Sequence, residues 1–144
     1  MIYNDRFVDP LEVKAQKTAG SLYEPEQIDK NILQIIPYQY PKRKITVEMS
    51  TEEFTCVCPF SGLPDFAILT ISYTPNKKLI EMKSLKYYLH AYRNVRIYNE
   101  HVVNKILEDL VKVLCPHSMI VNAKFSSRGG MLNNVTASHK SLVR

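Results

Sequence analysis

Residues 65–75 read DFAILTISYTP and predict a β-strand with two different faces. Side chains alternate along a strand, so one face carries Ala67, Leu69, Ile71 and Tyr73, and the other carries Phe66, Ile68, Thr70 and Ser72. The β-branched and aromatic content supports the assignment. Residues 44–50 (KITVEMS) predict another strand on the N-terminal side, and an extended segment, EEFTCVCPFSGLP, lies between the two.

Two helices are predicted next, at residues 84–93 and 99–114, because apolar side chains recur there at helical spacing. Residues 118–125 and 131–138 predict two further strands. They are joined through SSRGG, whose paired glycines suit a tight turn. The order strand, strand, helix, helix, strand, strand predicts an α+β domain in which two helices cover one face of a four-stranded antiparallel sheet. The exposed edges of such a sheet favour association with other copies.

The N-terminal part of the chain is expected to lie outside this unit. Residues 1–22 have no sustained periodicity and predict a poorly ordered leader, and residues 24–36 predict a short helix that ends before Pro37. We therefore divide the chain into a leader with a short helix, residues 1–40, and one folded domain, residues 41–140.

The composition limits the class of protein. A chain of 144 residues suits a single core. No apolar run is long enough to span a bilayer and the start lacks a secretory signal, so we expect a cytoplasmic protein. The net charge of +5 favours anionic partners, either nucleic acid or phosphorylated small molecules, although a generic basic surface has the same charge. A basic RNA-binding module is one alternative, but no RNA-binding motif is present.

The three cysteines suggest chemistry at a free thiol, because their number is odd and a zinc site with two close cysteine pairs is missing. Cys58 stands where a strand gives way to a Pro-Phe-Ser-Gly loop, and Asp65 begins the next strand. A thiolate can attack an electrophilic carbon while a nearby acid delivers a proton. A buried, inert cysteine is the simpler interpretation, and Cys56 is a competing nucleophile.

Three other places are candidates for ligand binding. Lys83 and Lys86, with the Ser84 hydroxyl, lie at a predicted helix start that suits an anion, or they are simply solvated lysines. Glu100 either accepts the paired N–H donors of a guanine-like edge or only stabilises its helix start. Arg128 can reach over a ligand, although the turn alone explains the neighbouring glycines.

Several motifs occur together in an order that resembles one family. They are FTCVCPFSGLPDFAILTISY at 54–73, EMKSLKYY at 81–88, YRN at 92–94 and FSSRGG at 125–130. Together they resemble the NADPH-dependent nitrile reductases that act on 7-cyano-7-deazaguanine in queuosine biosynthesis, in their short, single-module form. The resemblance, which covers about residues 45–135, implies the tunnelling fold (T-fold) and assembly into rings with active sites between subunits.

The resemblance also implies a role for individual residues. Cys58 matches the nucleophile that forms a covalent thioimide, and Asp65 matches the proton donor, whereas Cys56 matches no residue that the family uses. The positions that match the substrate site are Ile80, Glu81, Met82, Asn99 and Glu100. The positions that match the NADPH site are Lys83, Ser84, Lys86, Arg128 and Gly129. No metal and no direct nucleic-acid binding are expected. The non-reducing amidine-forming relatives and a cyclohydrolase-like enzyme are the alternatives within the fold.

Overall fold

A four-stranded antiparallel sheet forms the centre of the computed structural model, which describes residues 21–142. Its strands are β2 (Val47–Val57), β3 (Pro64–Thr74), β5 (Ser118–Arg128) and β6 (Met131–Lys140), arranged in the order β2-β3-β5-β6. A small second sheet pairs β1 (Ile35–Pro37) with β4 (Lys78–Ile80). The predicted four-stranded sheet is confirmed, and β2 is longer than predicted because it continues across a bulge between Thr51 and Phe54.

Two helices, α1 (Met82–His90) and α2 (Asn99–Leu114), join β4 to β5, with a short 3₁₀ helix between them. The second helix has the predicted bounds. The first begins two residues before its predicted start, and the 3₁₀ turn Ala91–Asn94 takes its last predicted residues. Both helices pack on the same face of the sheet, where Leu85 and Val103 share one core with Leu69. An α+β domain with two helices on one face is therefore confirmed.

The opposite face of the sheet has no helix against it within residues 21–142. Phe66, Ile68 and Ile120 lie on this face and are 54%, 46% and 48% exposed. The alternation predicted for β3 is thus confirmed, since Ala67, Leu69, Ile71 and Tyr73 are all buried.

The short helix predicted for residues 24–36 is wrong. This segment forms the 3₁₀ turns Pro25–Gln27 and Lys30–Ile32 and then strand β1. The backbone of Ile35–Pro37 bonds to β4, and this long-range pairing outweighs the local helical pattern. Ile28 and Leu33 nevertheless reach the core. The predicted leader falls mainly on residues 1–20, which lie outside the described range.

The β5–β6 connection is the tight glycine turn expected from the sequence. Gly129 and Gly130 have φ angles of +55° and +78°, and Arg128 pairs with Met131 across the turn. Positive φ at both central positions is the geometry that glycine permits without strain. Within residues 21–142, no helix has both the length and the apolar character that a membrane crossing requires.

Candidate active site

Cys58 opens the loop that connects β2 to β3. Its backbone N–H donates to the Leu63 carbonyl at 2.9 Å, and the Gly62 N–H donates to the Cys58 carbonyl at 2.8 Å. These bonds close the loop and leave the Cys58 side chain partly exposed at one end of the sheet. The Ser61 N–H points at the Cys58 sulfur at 3.5 Å. The sulfur of Cys58 is thus both reachable from solvent and in contact with a backbone hydrogen-bond donor.

Asp65 is buried at the same end of the sheet, with only 7% of its surface exposed. Its Oδ1 lies 3.0 Å from Nε of Arg128. Burial raises the pKa of the Asp65 carboxyl, the Arg128 charge opposes that rise, and the negative charge of Glu100 adds to it. A carboxyl with a raised pKa holds its proton closer to neutral pH, which suits a proton donor.

Cys56, the competing thiol, lies inside the core. It faces Asp65 in the strand register and is fully buried. Burial, followed by the charges of Asp65 and Cys58, raises the pKa of the Cys56 thiol to about 12. A thiol in this state stays protonated and inaccessible at neutral pH. The geometry therefore favours Cys58 over Cys56 as the nucleophile.

Glu100 lies one residue inside the start of α2, and its carboxylate is directed towards the sheet. Glu100 Oε1 accepts a hydrogen bond from the Asn133 side chain of β6 at 3.1 Å. This contact with the sheet orients the carboxylate, so Glu100 does more than stabilise the start of its helix. Beside it, Asn99 Oδ1 is buried and has no hydrogen-bond partner among the described residues. A buried acceptor without a partner is rare in proteins and is suited to a ligand N–H.

Two residues of this group were not found from the sequence. Ser61 stands three positions after Cys58, and a C-x-x-S turn is a signal that its amide could return to the sulfur. Asn133 had no comparable signal, because its contact with Glu100 depends on the register of β6 and on how α2 packs over it.

A second group of candidate residues surrounds the start of α1. Glu81 is the N-cap, and its carboxylate accepts hydrogen bonds from the amides of Lys83 at 2.9 Å and Ser84 at 2.7 Å. These bonds lower the pKa of the Glu81 carboxyl. The Ser84 hydroxyl donates to the Glu81 carbonyl and accepts from the Gln34 amide. Glu81 therefore occupies the amides at this helix start, and the lysine side chains are the groups that can contact an anion here.

The lysines of this group remain accessible. Lys83 and Lys86 are exposed on α1, and Lys83 Nζ lies 6.0 Å from the centre of the Tyr87 ring. Lys86 and the 68% exposed Met82 line a groove of about 370 Å³ between α1 and β2, whose walls include Met49 and Leu89. Ile80 is buried where it pairs with β1.

The second group begins at the end of β3 that is opposite Asp65. The Ile80 N–H donates to the Tyr73 hydroxyl at 3.1 Å, and Tyr73 follows Asp65 by eight residues of β3, a span of about 26 Å. The structure thus brings Cys58 and Asp65 together with Glu100 and Arg128, but not with Ile80, Glu81, Met82, Lys83, Ser84 or Lys86. Gly129, next to Arg128, is exposed in the hairpin turn.

Cys115, the third cysteine, is exposed in a left-handed conformation after the last turn of α2. Within residues 21–142, no three His, Cys, Asp or Glu side chains come close enough together to hold a metal ion.

The sequence is similar to a set of proteins that share one name. The family described as QueF-like protein matches residues 64–143. An NADPH-dependent 7-cyano-7-deazaguanine reductase of Caldicellulosiruptor bescii is 52% identical over 127 residues, which cover 88% of this chain and 97% of the relative. Proteins of the same name from Caldanaerobacter subterraneus subsp. tengcongensis and Chlorobium luteolum are 50% and 49% identical, over 88% and 76% of this chain and 95% of each relative.

A similar fold is found among solved structures. The archaeosine synthase QueF-Like in its apo form superposes with a TM-score of 0.63 at 23% sequence identity, covering 68% of this chain and 96% of that protein. At this identity the likeness concerns the fold alone. The family match spans more than half of the chain, and the relatives align over nearly their whole length, so the chain belongs to the QueF-like protein family.

Proposed function

We propose that the protein is an oxidoreductase that reduces the nitrile of 7-cyano-7-deazaguanine to the primary amine 7-aminomethyl-7-deazaguanine with two NADPH, in queuosine biosynthesis. The observation that carries the proposal is the environment of Cys58, a partly exposed thiol that faces the Ser61 amide at the same end of the sheet as the buried Asp65 carboxyl. It occurs in a chain about half identical to relatives named as NADPH-dependent reductases of this nitrile.

The first step is addition of the Cys58 thiol to the nitrile carbon. A sulfur–carbon bond forms, one π bond of the nitrile opens, and the proton of the thiol ends on the nitrogen, which gives a covalent thioimide. Asp65 passes this proton to the nitrogen, since its carboxyl lies at the same end of the sheet. The thioimide carbon is a better hydride acceptor than the nitrile carbon.

Recognition of the base falls to Glu100 and Asn99. The Glu100 carboxylate can accept two N–H donors of the guanine-like edge, and Asn99 Oδ1 is an acceptor without a partner among residues 21–142. The resemblance adds Ile80, Glu81 and Met82 to the substrate site. Because Ile80 contacts Tyr73, at the end of β3 opposite Asp65, we assign this segment to a site that is shared with another copy.

The residues around α1 fit the cofactor. Lys83 and Lys86 present exposed ammonium groups that suit phosphates, and Lys86 borders a groove with apolar walls. Ser84 supports them by fixing the start of the helix. The resemblance also assigns Arg128 and Gly129 to the cofactor, and both are exposed in the β5–β6 hairpin. When bound, NADPH supplies hydride.

A ring of identical copies would complete the site. β2 and β6 are the outer strands of the four-stranded sheet, and the outer edge of β2 is bonded to the Val95–Ile97 segment only at Val57. The β2 edge carries exposed Glu48 and Glu52, whereas β6 ends in His139 and Lys140, so the two edges are complementary in charge. Head-to-tail pairing of such edges generates a closed ring when the rotation allows it.

The same pairing would bring the two groups of site residues together. Met82 and Lys86 line the groove beside β2, and Glu100 is bonded to Asn133 on β6. Joining a β2 edge to a β6 edge places one group of each copy near the other group of its neighbour. A nucleophilic thiol must stay reduced, and this suits the reducing conditions of the cytoplasm. The proposed reaction requires no direct contact with nucleic acid.

The experiment is to mix the purified protein with 7-cyano-7-deazaguanine and NADPH, and to record the absorbance of NADPH and the mass of the protein. We expect two NADPH oxidised per substrate, the amine as product, and no turnover by Cys58→Ala. A protein heavier by one substrate without NADPH oxidation would instead indicate an amidine-forming relative. Neither signal, together with salt-sensitive RNA binding, would indicate an RNA-binding module.

A further inference from the structure

Arg128 makes three contacts with the segment that contains Cys58 and Asp65. Its Nε lies 3.0 Å from Asp65 Oδ1, its Nη2 donates to the Pro64 carbonyl at 2.6 Å, and its Nη1 donates to the Ser61 hydroxyl at 3.4 Å. Ser61 is also the residue whose amide faces the Cys58 sulfur. One guanidinium group therefore joins the proton donor to the loop that carries the nucleophile.

We propose that Arg128 is a positioning residue for the addition of Cys58 to the nitrile, and that it fixes the Asp65 carboxylate and the loop of residues 58–64 before any cofactor binds. This inference rests on the proposed function and goes beyond the role at the cofactor that the resemblance implies. The planar guanidinium suits it, because several donors in a fixed arrangement can hold a carboxylate and two loop oxygens at once.

The charges around Asp65 explain why a cation is needed. Glu100 faces it from α2, Cys56 faces it from β2, and the Cys58 thiol lies close to Cys56 at the end of that strand. Burial and the charge of Glu100 favour a neutral Asp65 carboxyl, whereas Arg128 favours the carboxylate. Without Arg128, Asp65 would bind its proton more tightly and would turn away from the loop more easily.

The charge of Arg128 affects the addition step because that step depends on how many protons Cys58 and Asp65 hold together. The reactive state holds one proton between Cys58 and Asp65, either as thiol and carboxylate or as thiolate and carboxylic acid. Asp65 accepts that proton as the sulfur–carbon bond forms and delivers it to the nitrile nitrogen. A second proton on the pair stops the step, since Asp65 can then no longer accept the proton of the thiol.

The test follows thioimide formation in the absence of NADPH, by quenched mass spectrometry between pH 5 and 9, in Arg128→Lys and Arg128→Gln. We expect Arg128→Gln to form the adduct about a hundredfold more slowly, with the acidic limb of its pH profile moved to higher pH. Arg128→Lys keeps the positive charge but cannot make all three contacts at once. Its rate of adduct formation should therefore fall, while the acidic limb of its pH profile should move less than in Arg128→Gln.

Arg43→Gln is the matched control, because Arg43 is an exposed arginine that stacks on Tyr40 outside this site, and it should resemble the wild type. An adduct formed by Arg128→Gln at the wild-type rate and with the wild-type pH profile would overturn the role of Arg128. A lower rate with an unmoved acidic limb in both variants would also overturn it, since misfolding alone gives that result. Absence of the adduct in the wild-type protein would overturn the proposed function itself.

Discussion

Cys56 and Cys58 are two residues apart, yet their sulfur atoms lie in opposite environments. Cys56 is fully buried in the core, with its thiol pKa raised to about 12. Cys58 is partly exposed and faces the Ser61 amide. The end of β2 at Val57 explains the contrast, because the chain leaves the strand between the two cysteines and turns into the loop.

The first prediction concerns Cys56. Cys56→Ala should unfold with a free energy lower by about 1 kcal/mol, because a small cavity opens in the core, while kcat stays close to the wild type. In the folded protein, iodoacetamide at pH 8 should label Cys58 and leave Cys56 unlabelled. Urea unfolding, NADPH oxidation and peptide mass mapping measure these effects. Loss of turnover in a folded Cys56→Ala variant would contradict the bystander role.

The second prediction concerns Glu81 and pH. The amides of Lys83 and Ser84 lower the pKa of the Glu81 carboxyl in the folded chain. Its charge therefore stabilises the fold above the unfolded pKa, and the effect disappears as pH falls through the lower folded pKa. Glu81→Gln should melt below the wild type at pH 7, and the difference should disappear at pH values well below about 4.

Glu108→Gln is the control for this measurement, because it removes the same charge from the exposed surface of α2. Melting temperatures recorded by circular dichroism from pH 2 to 8 would cover both limits. A Glu81→Gln deficit that stays constant over the whole range would mean that the carboxylate charge does not stabilise α1.

At the scale of elements, the β5–β6 hairpin depends on its two glycines. Gly130 has a φ of +78°, and a Cβ added there would meet no atom within 4 Å. A substitution therefore costs backbone strain without a clash. Gly130→Ala should lower the free energy of unfolding by about 1 kcal/mol, and Gly130→Asn by less, since asparagine tolerates this region. Urea titration of both variants measures the difference, and equal losses would argue against backbone strain as the cause.

The contact between α1 and α2 contains a buried polar cluster. The Tyr88 hydroxyl donates to Asp109 Oδ2 at 2.6 Å and lies 2.9 Å from the Tyr92 hydroxyl. Lys30 and Lys105 also contact the Asp109 carboxylate, at 3.3 and 3.1 Å. The cluster thus links both helices to the N-terminal segment.

Tyr88→Phe removes the hydroxyl at the centre of this cluster. We expect the free energy of unfolding to fall by about 2 kcal/mol, because a hydrogen bond to a buried carboxylate is lost and Tyr92 loses its partner. Tyr87→Phe makes the same change on a residue that is 53% exposed, and it should be nearly neutral. If both variants unfold alike, the cluster contributes little to stability.

The elements that the sequence predicted best are those with a strong local pattern. Helix α2 has a wide apolar stripe and the predicted bounds, and β3 has a strict alternation. The helix predicted for residues 24–36 failed because β1 is defined by pairing with β4, more than forty residues later in the chain. A local pattern contains no information about such a partner.

At the scale of the whole molecule, the order of elements could be predicted from the sequence pattern, but the distances between the candidate site residues could not. Spacing predicted that Cys58 and Asp65 would share one end of the sheet, and the β2–β3 register places both residues there. The position of Glu100 at this end of the sheet depends on how α2 packs across β6. The position of Lys83 and Lys86 on another surface follows from the place of α1, which begins after β4 and borders a groove beside β2.

A divided site allows two inactive proteins to repair each other. In the ring proposed above, Cys58→Ala would remove the nucleophile from one half of every site and Lys86→Ala would alter the other half, so each pure variant should oxidise NADPH poorly. Mixing them after mild dissociation and reassembly should regenerate sites in which both halves are intact, about a quarter of the total when copies combine at random. Mixing Cys58→Ala with Asp65→Ala, which spoil the same half, should restore nothing. Recovery in the first mixture alone would mean that each active site is built by two neighbouring copies. Selection on a residue would then act through the site that this residue completes together with the neighbouring copy.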